Sequence, residues 1–259
     1  MKRSRIYFLR TRLNNGQPAP GGALKNKRMQ WLLPLCALLF MALGGCEKDN
    51  YDAPSAPLTG RLTFNGEPVF IRQGINVIQL YQPGYELSNP INVNVKQDGS
   101  FSSLLFDGDY QLIRVSGNGP WENNTDTIPV KVNGATTVDV PVVPYFSFSD
   151  VAFSIVNDSL KASFRLHKQM DNRQLERVFL VIGKTQLVDN LINVNPSNQQ
   201  NPDPNGSLPG AAVDLSQPLR LSYGLSATTF TPHPHLFARI AVKTLGFNEM
   251  NFSDVFVIR

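Results

Sequence analysis

The chain has 259 residues with 24 basic and 20 acidic side chains, a formal net charge of +4. Eight of the basic residues and none of the acidic ones precede Cys46, so residues 46–259 are acidic overall, with a net charge of −4. The basic character therefore belongs to the N-terminal segment, and a general affinity of the remaining chain for nucleic acid is excluded.

The first 45 residues have the three regions of a secretory signal peptide. A basic segment at 25–28 precedes an apolar run from Trp31 to Leu43. A run of about 13 residues is too short for a membrane-spanning helix, which needs about 20. The run ends in the tetrad Leu43-Gly44-Gly45-Cys46, which resembles a bacterial lipobox. That resemblance implies cleavage before Cys46, acylation of its thiol and amine, and attachment to a membrane through lipid.

Two alternatives to lipidation stay open: a signal peptide cut elsewhere, and an apolar run retained as an anchor. Residues 1–24 have no apolar periodicity, and we interpret them as a leader upstream of the true translation start. Cys36 lies within the apolar run, so lipidation of Cys46 leaves no thiol for disulfides or metal. We expect folding to depend on core burial.

Residues 46–57 are polar and rich in proline, which predicts a tether between the lipid and the first domain. Glu47-Lys48-Asp49 resembles the surface-export signal of Bacteroidota lipoproteins, and the resemblance implies an outer-membrane protein exposed at the cell surface. The alternative is a solvated linker whose charges carry no signal.

Short apolar runs separated by turn residues predict a first β-sandwich over residues 58–143. Asn65-Gly66, Asp98-Gly99, Asp107-Gly108 and Asn133-Gly134 mark the turns between runs. The predicted strands are Leu58–Phe64, Ile75–Tyr81, Ile91–Lys96, Phe101–Leu105, Tyr110–Ser116, Thr127–Val132 and Thr136–Val142.

Three segments of this half resemble the carboxypeptidase-regulatory, transthyretin-like domain. They are 60–68 (GRLTFNGEP), 97–101 (QDGSF) and 107–110 (DGDY). The glycines open turns, and the paired turns fix strand register. The resemblance implies a transthyretin-like fold for this half.

Pro144 cannot continue a central ladder, so we place the domain boundary there and a second β-sandwich at 145–259. Alternation in Ser159–Leu166 predicts a half-buried strand, and the apolar run Val178–Ile182 predicts a strand buried on both faces. Asn193–Gly210 is predicted as a long loop. Strand number and spacing resemble an immunoglobulin or fibronectin type III sandwich. The other predicted strands are Phe146–Asn157, Leu219–Tyr223, Phe237–Lys243 and Asp254–Ile258.

Over residues 46–259 the chain resembles the two-domain Bacteroidota lipoproteins of domain of unknown function 3823. Beyond the lipobox, the segments that carry this resemblance are 119–121 (GPW), 126–128 (DTI), 143–145 (VPY) and 251–253 (NFS). The resemblance implies an accessory component of a glycan-uptake system, beside a TonB-dependent porin and its lid lipoprotein. It supplies no catalytic or binding residues.

No hydrolase, metalloprotease, phosphate-loop or C-x-x-C motif occurs, so we predict no enzymatic activity and no cofactor. His233-Pro234-His235 offers two metal ligands without a third, and we predict no metal site. Asp98, Asp107 and Asp109 each stand beside a glycine, which indicates turn capping. A calcium site at the last two or along Asp203–Gly206 stays open.

The loop around Trp121 has the residue types of a sugar-binding site. An indole covers the apolar face of a sugar ring, while amides and carboxylates bind its hydroxyl groups. We therefore predict ligand contacts from one aromatic and four polar residues: Trp121, Asn118, Glu122, Asn123 and Asn124. In the alternative, Trp121 packs against protein, as large aromatic side chains usually do.

Asp126-Thr127-Ile128 and Asp158-Ser159-Leu160 resemble the O-glycosylation sequon of exported proteins of this bacterial group, with Thr127 and Ser159 as acceptors. Each triplet is also consistent with an ordinary strand edge.

The sequence thus predicts an all-β protein of two consecutive sandwiches behind a lipoprotein signal peptide. The predicted function is a non-enzymatic surface lipoprotein that binds glycan or assists an outer-membrane polysaccharide-uptake system. The first alternative is a structural spacer or protein–protein interaction subunit without glycan binding. A hydrolase with an unrecognised site is the second.

Overall fold

The computed structural model describes residues 52–84, 89–194, 206–225 and 234–258. Residues Ala53–Arg259 form one compact unit. Within the described ranges the regular elements are β-strands, apart from a 3-10 turn at Gly210–Ala212. The structure therefore confirms the all-β prediction. Within these ranges no helix has the length and apolarity that crossing a membrane requires.

The first sandwich packs a five-stranded sheet against a four-stranded one around a shared apolar core. In the first sheet, β1 pairs antiparallel with β2 and β5 and parallel with β8 and β9. The second sheet has the order β4-β3-β6-β7 and is antiparallel. The strands are β1 Ala56–Phe64, β2 Glu67–Pro68, β3 Ile78–Tyr81, β4 Ile91–Val93, β5 Ser100–Leu105, β6 Gly108–Arg114, β7 Ile128–Val132, β8 Thr136–Thr137 and β9 Val140–Pro141.

Two glycine-containing turns fix the register of this sandwich. Asn65 and Gly66 both have positive φ, 52° and 84°, which is the geometry of a two-residue hairpin between β1 and β2. At the second turn, the Asp98 carboxylate accepts hydrogen bonds from the backbone N–H (2.9 Å) and the hydroxyl (2.7 Å) of Ser100. The structure confirms turns at both places.

Several predicted boundaries need correction; for example, the strands predicted over 91–96 and 254–258 shorten to Ile91–Val93 and Phe256–Val257. β1 begins at Ala56, inside the segment assigned to the tether, because Ala56 is buried and pairs with Leu105. The strand predicted over 75–81 begins at Ile78. The strand predicted over 136–142 is two short strands. Between them the chain passes so close to Gly60 that a Cβ there would clash with the Val138 carbonyl.

The second sandwich has a three-stranded sheet, β10-β11-β14, and a sheet in the order β13-β12-β15-β16, with β17 also on β15. Pairing is antiparallel throughout. β13 lies within the predicted loop 193–210, and β16 was not predicted. The strands are β10 Phe146–Val156, β11 Ser159–Lys168, β12 Leu175–Gly183, β13 Ser207–Pro209, β14 Leu219–Gly224, β15 Phe237–Thr244, β16 Met250–Phe252 and β17 Phe256–Val257.

The central strand β12 is buried on both faces, as its apolar run predicted. Every residue of Val178–Ile182 is 0% exposed. Val178, Leu180 and Ile182 enter the core between the two sheets. Phe179 and Val181 enter a smaller core on the opposite face, which also receives Phe70 from the first sandwich. The second sheet therefore packs against the first sandwich through its outer face.

Arg239 on β15 lies at this junction and is fully buried. Its guanidinium donates to the carbonyl oxygens of Ser253 (2.8 Å) and Val188 (3.3 Å) in the second sandwich. It also donates to those of Ile71 (3.2 Å) and Gln97 (3.3 Å) in the first. Burial lowers the pKa of Arg239 to about 9, against the opposing effect of nearby carboxylates, so the side chain stays charged at neutral pH.

Candidate functional site

The predicted sugar-stacking residue, Trp121, is buried in the core of the first sandwich. The side chain is 2% exposed, and Gly119 lies so close to the indole that a Cβ there would clash with it. The backbone of Trp121 forms an isolated bridge with Pro144. The predicted stacking role of Trp121 is therefore wrong for this structure, because no indole face is available to a ligand.

The polar residues predicted to surround it shape the loop instead. The side-chain amide of Asn118 donates to the Asn76 carbonyl at 2.8 Å. The side-chain oxygen of Asn123 accepts the Gly117 N–H at 2.8 Å, and that of Asn124 accepts the Asp126 N–H at 2.7 Å. Glu122 is exposed, like both asparagines that follow it. The loop has hydrogen-bonding groups at its surface, but the Trp121 ring that was predicted to act with them is buried.

The modification sites fall in two different settings. Cys46 lies outside the described residues, so its lipidation stays a prediction. Thr127 is exposed and directly precedes β7. Ser159 is half-buried at the start of β11, after a turn whose residues Asn157 and Asp158 have positive φ. Both predicted acceptors therefore lie at strand beginnings, and their O-glycosylation stays a prediction.

No cluster of three or more metal-ligating side chains occurs among the described residues. His233 and positions 203–205 of the suggested calcium loop fall outside them, and His235 is exposed. Asp107 accepts the backbone N–H of Gly134 at 2.7 Å, so its carboxylate binds the Asn133-Gly134 turn and not the adjacent turn for which capping was predicted.

One histidine does lie beside a nucleophilic side chain. Ser149 Oγ and His167 Nε2 are 2.8 Å apart on the outer face of the β10-β11 pair. The carboxylate of Asp150, however, accepts from Ser149 (3.2 Å) instead of orienting the imidazole. A hydrolytic triad requires the carboxylate on the other ring nitrogen of the histidine. The Ser149–His167 contact is therefore a surface hydrogen bond, and its groups are not arranged as in a catalytic triad.

A groove of about 690 Å³ lies between the edge strand β10, the end of the chain and the β1–β2 hairpin of the first sandwich. We call it the aromatic groove. Volumes of several hundred Å³ with apolar walls and a few polar groups are typical of ligand sites. The aromatic side chains that line it are Phe64, Phe70, Phe146, Phe148, Phe153, Phe252 and Phe256.

A β-bulge in β10 sets the walls of the groove. The register of β10 on β11 shifts between Ser149 and Ala152, and Asp150 has a φ of 54°. Because the bulge adds one extra residue to β10, Phe148 before it and Phe153 after it both point toward the inner face. A continuous strand would place residues five apart on opposite faces.

Phe153 stacks on Phe256, which comes from β17 in the opposite sheet. The two rings are 4.8 Å apart and nearly parallel, at 10°. Both are half-buried and line the groove, so an apolar part of each ring is accessible there. This pair was not recognised from the sequence because its two residues lie 103 positions apart and neither stands in an unusual motif.

Hydrogen-bonding groups from both sandwiches flank this apolar surface. Asn65 and Glu67 extend from the β1–β2 hairpin, and both are exposed. Asp254 lies on the other side, with one carboxylate oxygen on the Val255 N–H at 2.7 Å. Asp254 is exposed at this flank. The groove thus combines flat apolar area with acceptors, and its lining contains no cationic side chain.

Comparison with known families gives two matches that together cover most of the chain. The family model described as the N-terminal domain of the protein of unknown function DUF3823 matches residues 56–143. The model described as the domain of unknown function DUF3823_C matches residues 146–256. Comparison with curated proteins gives no match.

Three solved structures share this two-domain fold. A DUF3823 family protein from Parabacteroides merdae is 36% identical with a TM-score of 0.69, and the match covers 80% of this chain and 100% of that one. A DUF3823 family protein from Bacteroides ovatus is 32% identical with a TM-score of 0.68, over 78% and 97% of the chains. A protein from Bacteroides uniformis described as a candidate carbohydrate-binding protein is 18% identical with a TM-score of 0.64, over 80% and 100%.

Proposed function

The chain belongs to the DUF3823 family, and from this premise we propose that it is a non-enzymatic, lipid-anchored protein that binds glycan in the aromatic groove. The observation that carries the proposal is the stacked pair of Phe153 and Phe256 at the groove surface. The fold of the Bacteroides uniformis protein described as a candidate carbohydrate-binding protein supports it at the level of architecture.

The chemistry of the groove suits a sugar chain without a negative charge. Pyranose rings have apolar C–H faces that pack on flat aromatic rings, and hydroxyl edges that need hydrogen-bond acceptors. Phe153 and Phe256 supply the first, while Asn65, Glu67 and Asp254 supply the second. Carboxylates on both flanks disfavour uronic acids and sulfated sugars by like-charge repulsion.

Attachment at the cell surface forms the other half of the proposal. Cys46 receives the lipid, and the segment between it and β1 extends the first sandwich away from the membrane. The Glu47-Lys48-Asp49 flank is the signal for outward exposure. A surface-exposed binding groove would then deliver glycan to a TonB-dependent porin and its lid lipoprotein, as the family resemblance suggests.

Calorimetric titration of neutral oligosaccharides into the mature protein from Cys46 tests the binding claim. Phe153→Ala and Phe256→Ala are each expected to weaken binding at least about tenfold, because each removes apolar contact area worth more than 1.4 kcal/mol. Phe106→Ala is the matched control, since Phe106 is 50% exposed and outside the groove. Binding that survives both groove variants, or no binding by any neutral glycan, rejects the proposal.

Incorporation of radiolabelled palmitate tests the anchor separately. We expect label in the wild-type protein and none in Cys46→Ala, which should also leave the detergent phase. Accessibility of the protein to protease added to whole cells then tests surface exposure. A labelled Cys46→Ala variant would contradict lipidation at this residue.

A rigid spacer or protein–protein interaction subunit is the second candidate. The observation that favours it is the junction at Arg239, which binds carbonyl groups of both sandwiches and holds Ala53–Arg259 as one compact unit. Co-purification with a porin–lid pair, combined with the absence of glycan binding, distinguishes this candidate from the first.

A further inference from the structure

The outer face of the three-stranded sheet β10-β11-β14 carries a concentration of positive charge. The strand register sets Lys161 between Ser154 and Ser222, and Ser163 beside Arg220. Arg165 lies two positions further along β11, on the same face. We call this surface the cationic face. It lies on the other side of the sheet from the apolar side chains of Leu160, Ala162 and Phe164, which fill the core.

Two of the three cations are not neutralised within the described part of the chain. Arg165 has Asp150 at 3.6 Å, and both side chains are well exposed, so this pair is weak. Lys161 and Arg220 are exposed and take part in no ion pair between described residues. Residues 46–259 have a net negative charge, so this positively charged patch is opposite in sign to the chain segment that carries it.

The cationic face is also concave. A trough of about 530 Å³ runs over it, bounded by Lys161 and Arg220. Small side chains from all three strands form the floor, among them Ala152, Ser163 and Ser222. Lys161 and Arg220 are diagonal neighbours on adjacent strands, a separation of roughly 7–8 Å between their backbone positions. The two charges can therefore contact neighbouring groups of one extended chain.

We propose that the cationic face binds an acidic polysaccharide, one that carries carboxylate or sulfate groups along a hydroxyl-rich chain. Arg220 can bind a carboxylate or sulfate with two parallel hydrogen bonds, and Lys161 adds a point charge. The serine hydroxyls of the face donate to and accept from sugar hydroxyls. This site is separate from the aromatic groove, whose carboxylates select against the same ligands.

The face fits a polysaccharide better than other anionic partners. Single-stranded nucleic acid requires aromatic platforms for base stacking, and the residues that line the trough offer only one aromatic, Phe153, which faces the opposite side of the sheet. Peripheral membrane binding combines charge with inserted apolar side chains, and the floor of the trough has none larger than alanine among its outward residues.

Titration of the mature protein with polygalacturonate and with dextran sulfate, with unmodified dextran as the neutral probe, tests the proposal. We expect the two acidic polymers to bind and dextran not to bind at this site. The double variant Lys161→Glu/Arg220→Glu should weaken acidic-polymer binding at least about tenfold, and the exchange Lys161→Arg/Arg220→Lys should retain most of it. A rise in salt should weaken binding, since exposed charges are screened.

The matched control is Lys131→Glu/Lys184→Glu, which makes the same change in net charge on exposed lysines outside the face. An equal loss in this control means that only net charge matters, and it overturns the proposal. Absence of acidic-polymer binding overturns it, and so does tighter binding of an oligonucleotide or of anionic-lipid vesicles. Phe256→Ala, at a residue that lines the groove and not the trough, distinguishes the two sites, because it should weaken neutral-glycan binding at least about tenfold and leave the acidic polymer bound.

Discussion

The guanidinium of Arg239 lies 3.2 Å from the carbonyl oxygen of Ile71, and this hydrogen bond joins the central sheet of the second sandwich to the first sandwich. The same guanidinium packs over the ring of Phe252, with its central carbon 4.5 Å from the ring centroid. A buried cation that is bound by carbonyl dipoles holds these groups in one arrangement. The groove lies beside this junction, because Phe252 and Ser253 belong to both.

Replacement of Arg239 by methionine should therefore destabilise the protein. The substitution keeps an unbranched side chain that reaches about as far as Nε, but it removes the donors to four carbonyl groups, so we expect the free energy of unfolding to fall by about 3 kcal/mol. The free energy of unfolding of Arg239→Lys should lie between those of wild type and Arg239→Met, since an ammonium keeps three donors. Urea denaturation measures the effect. Arg165→Met is the control, because Arg165 is exposed, and it should lower the free energy of unfolding by less than about 1 kcal/mol. An equal loss of stability in Arg239→Met and Arg165→Met would contradict the role of the junction.

Gly119→Ala should disrupt the packing around Trp121. The new Cβ would clash with the indole ring, which cannot move away within a filled core, and we expect a loss of about 1–3 kcal/mol. Trp121 is the single tryptophan of residues 46–259, so its fluorescence reports the site directly. The emission of Gly119→Ala should shift to longer wavelength. Gly224→Ala has open space for its Cβ and should leave the spectrum unchanged.

Asp98 should make stability depend on pH below neutrality. Burial acts to raise the pKa of Asp98, but the hydrogen bonds from Ser100 and the charges of Arg61 and Lys96 hold it below the usual 3.8. Since the folded-state pKa is the lower one, the contribution is fully present above pH 3.8 and is lost as pH falls through the folded value.

The variant Asp98→Asn isolates this contribution, because it removes the charge and keeps an acceptor for Ser100. At pH 6 the free energy of unfolding should be higher for wild type than for Asp98→Asn. The difference between the two proteins should become smaller near pH 2. In a Ser100→Ala background the pH-dependent part should become smaller. A difference that stays constant from pH 6 to pH 2 would refute the assignment.

Intact mass decides the O-glycosylation prediction. In protein exported by a Bacteroidota host, Thr127→Val and Ser159→Ala should each remove one glycan from the mass, and the double variant should have the unmodified mass. Thr137→Val lacks the preceding aspartate and should change the mass only by the substitution itself. A wild-type protein with the unmodified mass would end this prediction.

The local pattern predicted the strands of this protein better than it predicted the site. Alternation in Ser159–Leu166 correctly indicated which side chains of β11 are buried, and the apolar run in β12 correctly indicated burial on both faces. Turn residues located the hairpins because a positive φ at Asn65-Gly66 is a local requirement. The short strands β2 and β16 were not predicted, because strands of two or three residues are too short to show an alternation of apolar and polar side chains.

Trp121 and Arg239 show why side-chain roles were harder to predict. A tryptophan among exposed amides has the composition of a sugar site, but the fold turns its ring inward against Gly119. Arg239 alternates with apolar residues as a solvent-facing residue would, yet the first sandwich covers that face. For Arg239, the residues that cover the side chain are distant in sequence. For Trp121, the composition of the loop does not indicate the direction in which the ring points.

The amino-acid sequence by itself determined the strand-rich class, the positions of the turns and the family, because strands and turns depend on local patterns and the family on short motifs that can be read one by one. Only the tertiary structure assembled the two surfaces for which we propose ligand binding. The aromatic groove assembles side chains from three separate segments, near residues 64–70, 146–153 and 251–256, and the cationic face requires the register of three strands. Contact between distant segments arises from the packing of two sheets and two sandwiches, and no local pattern records it.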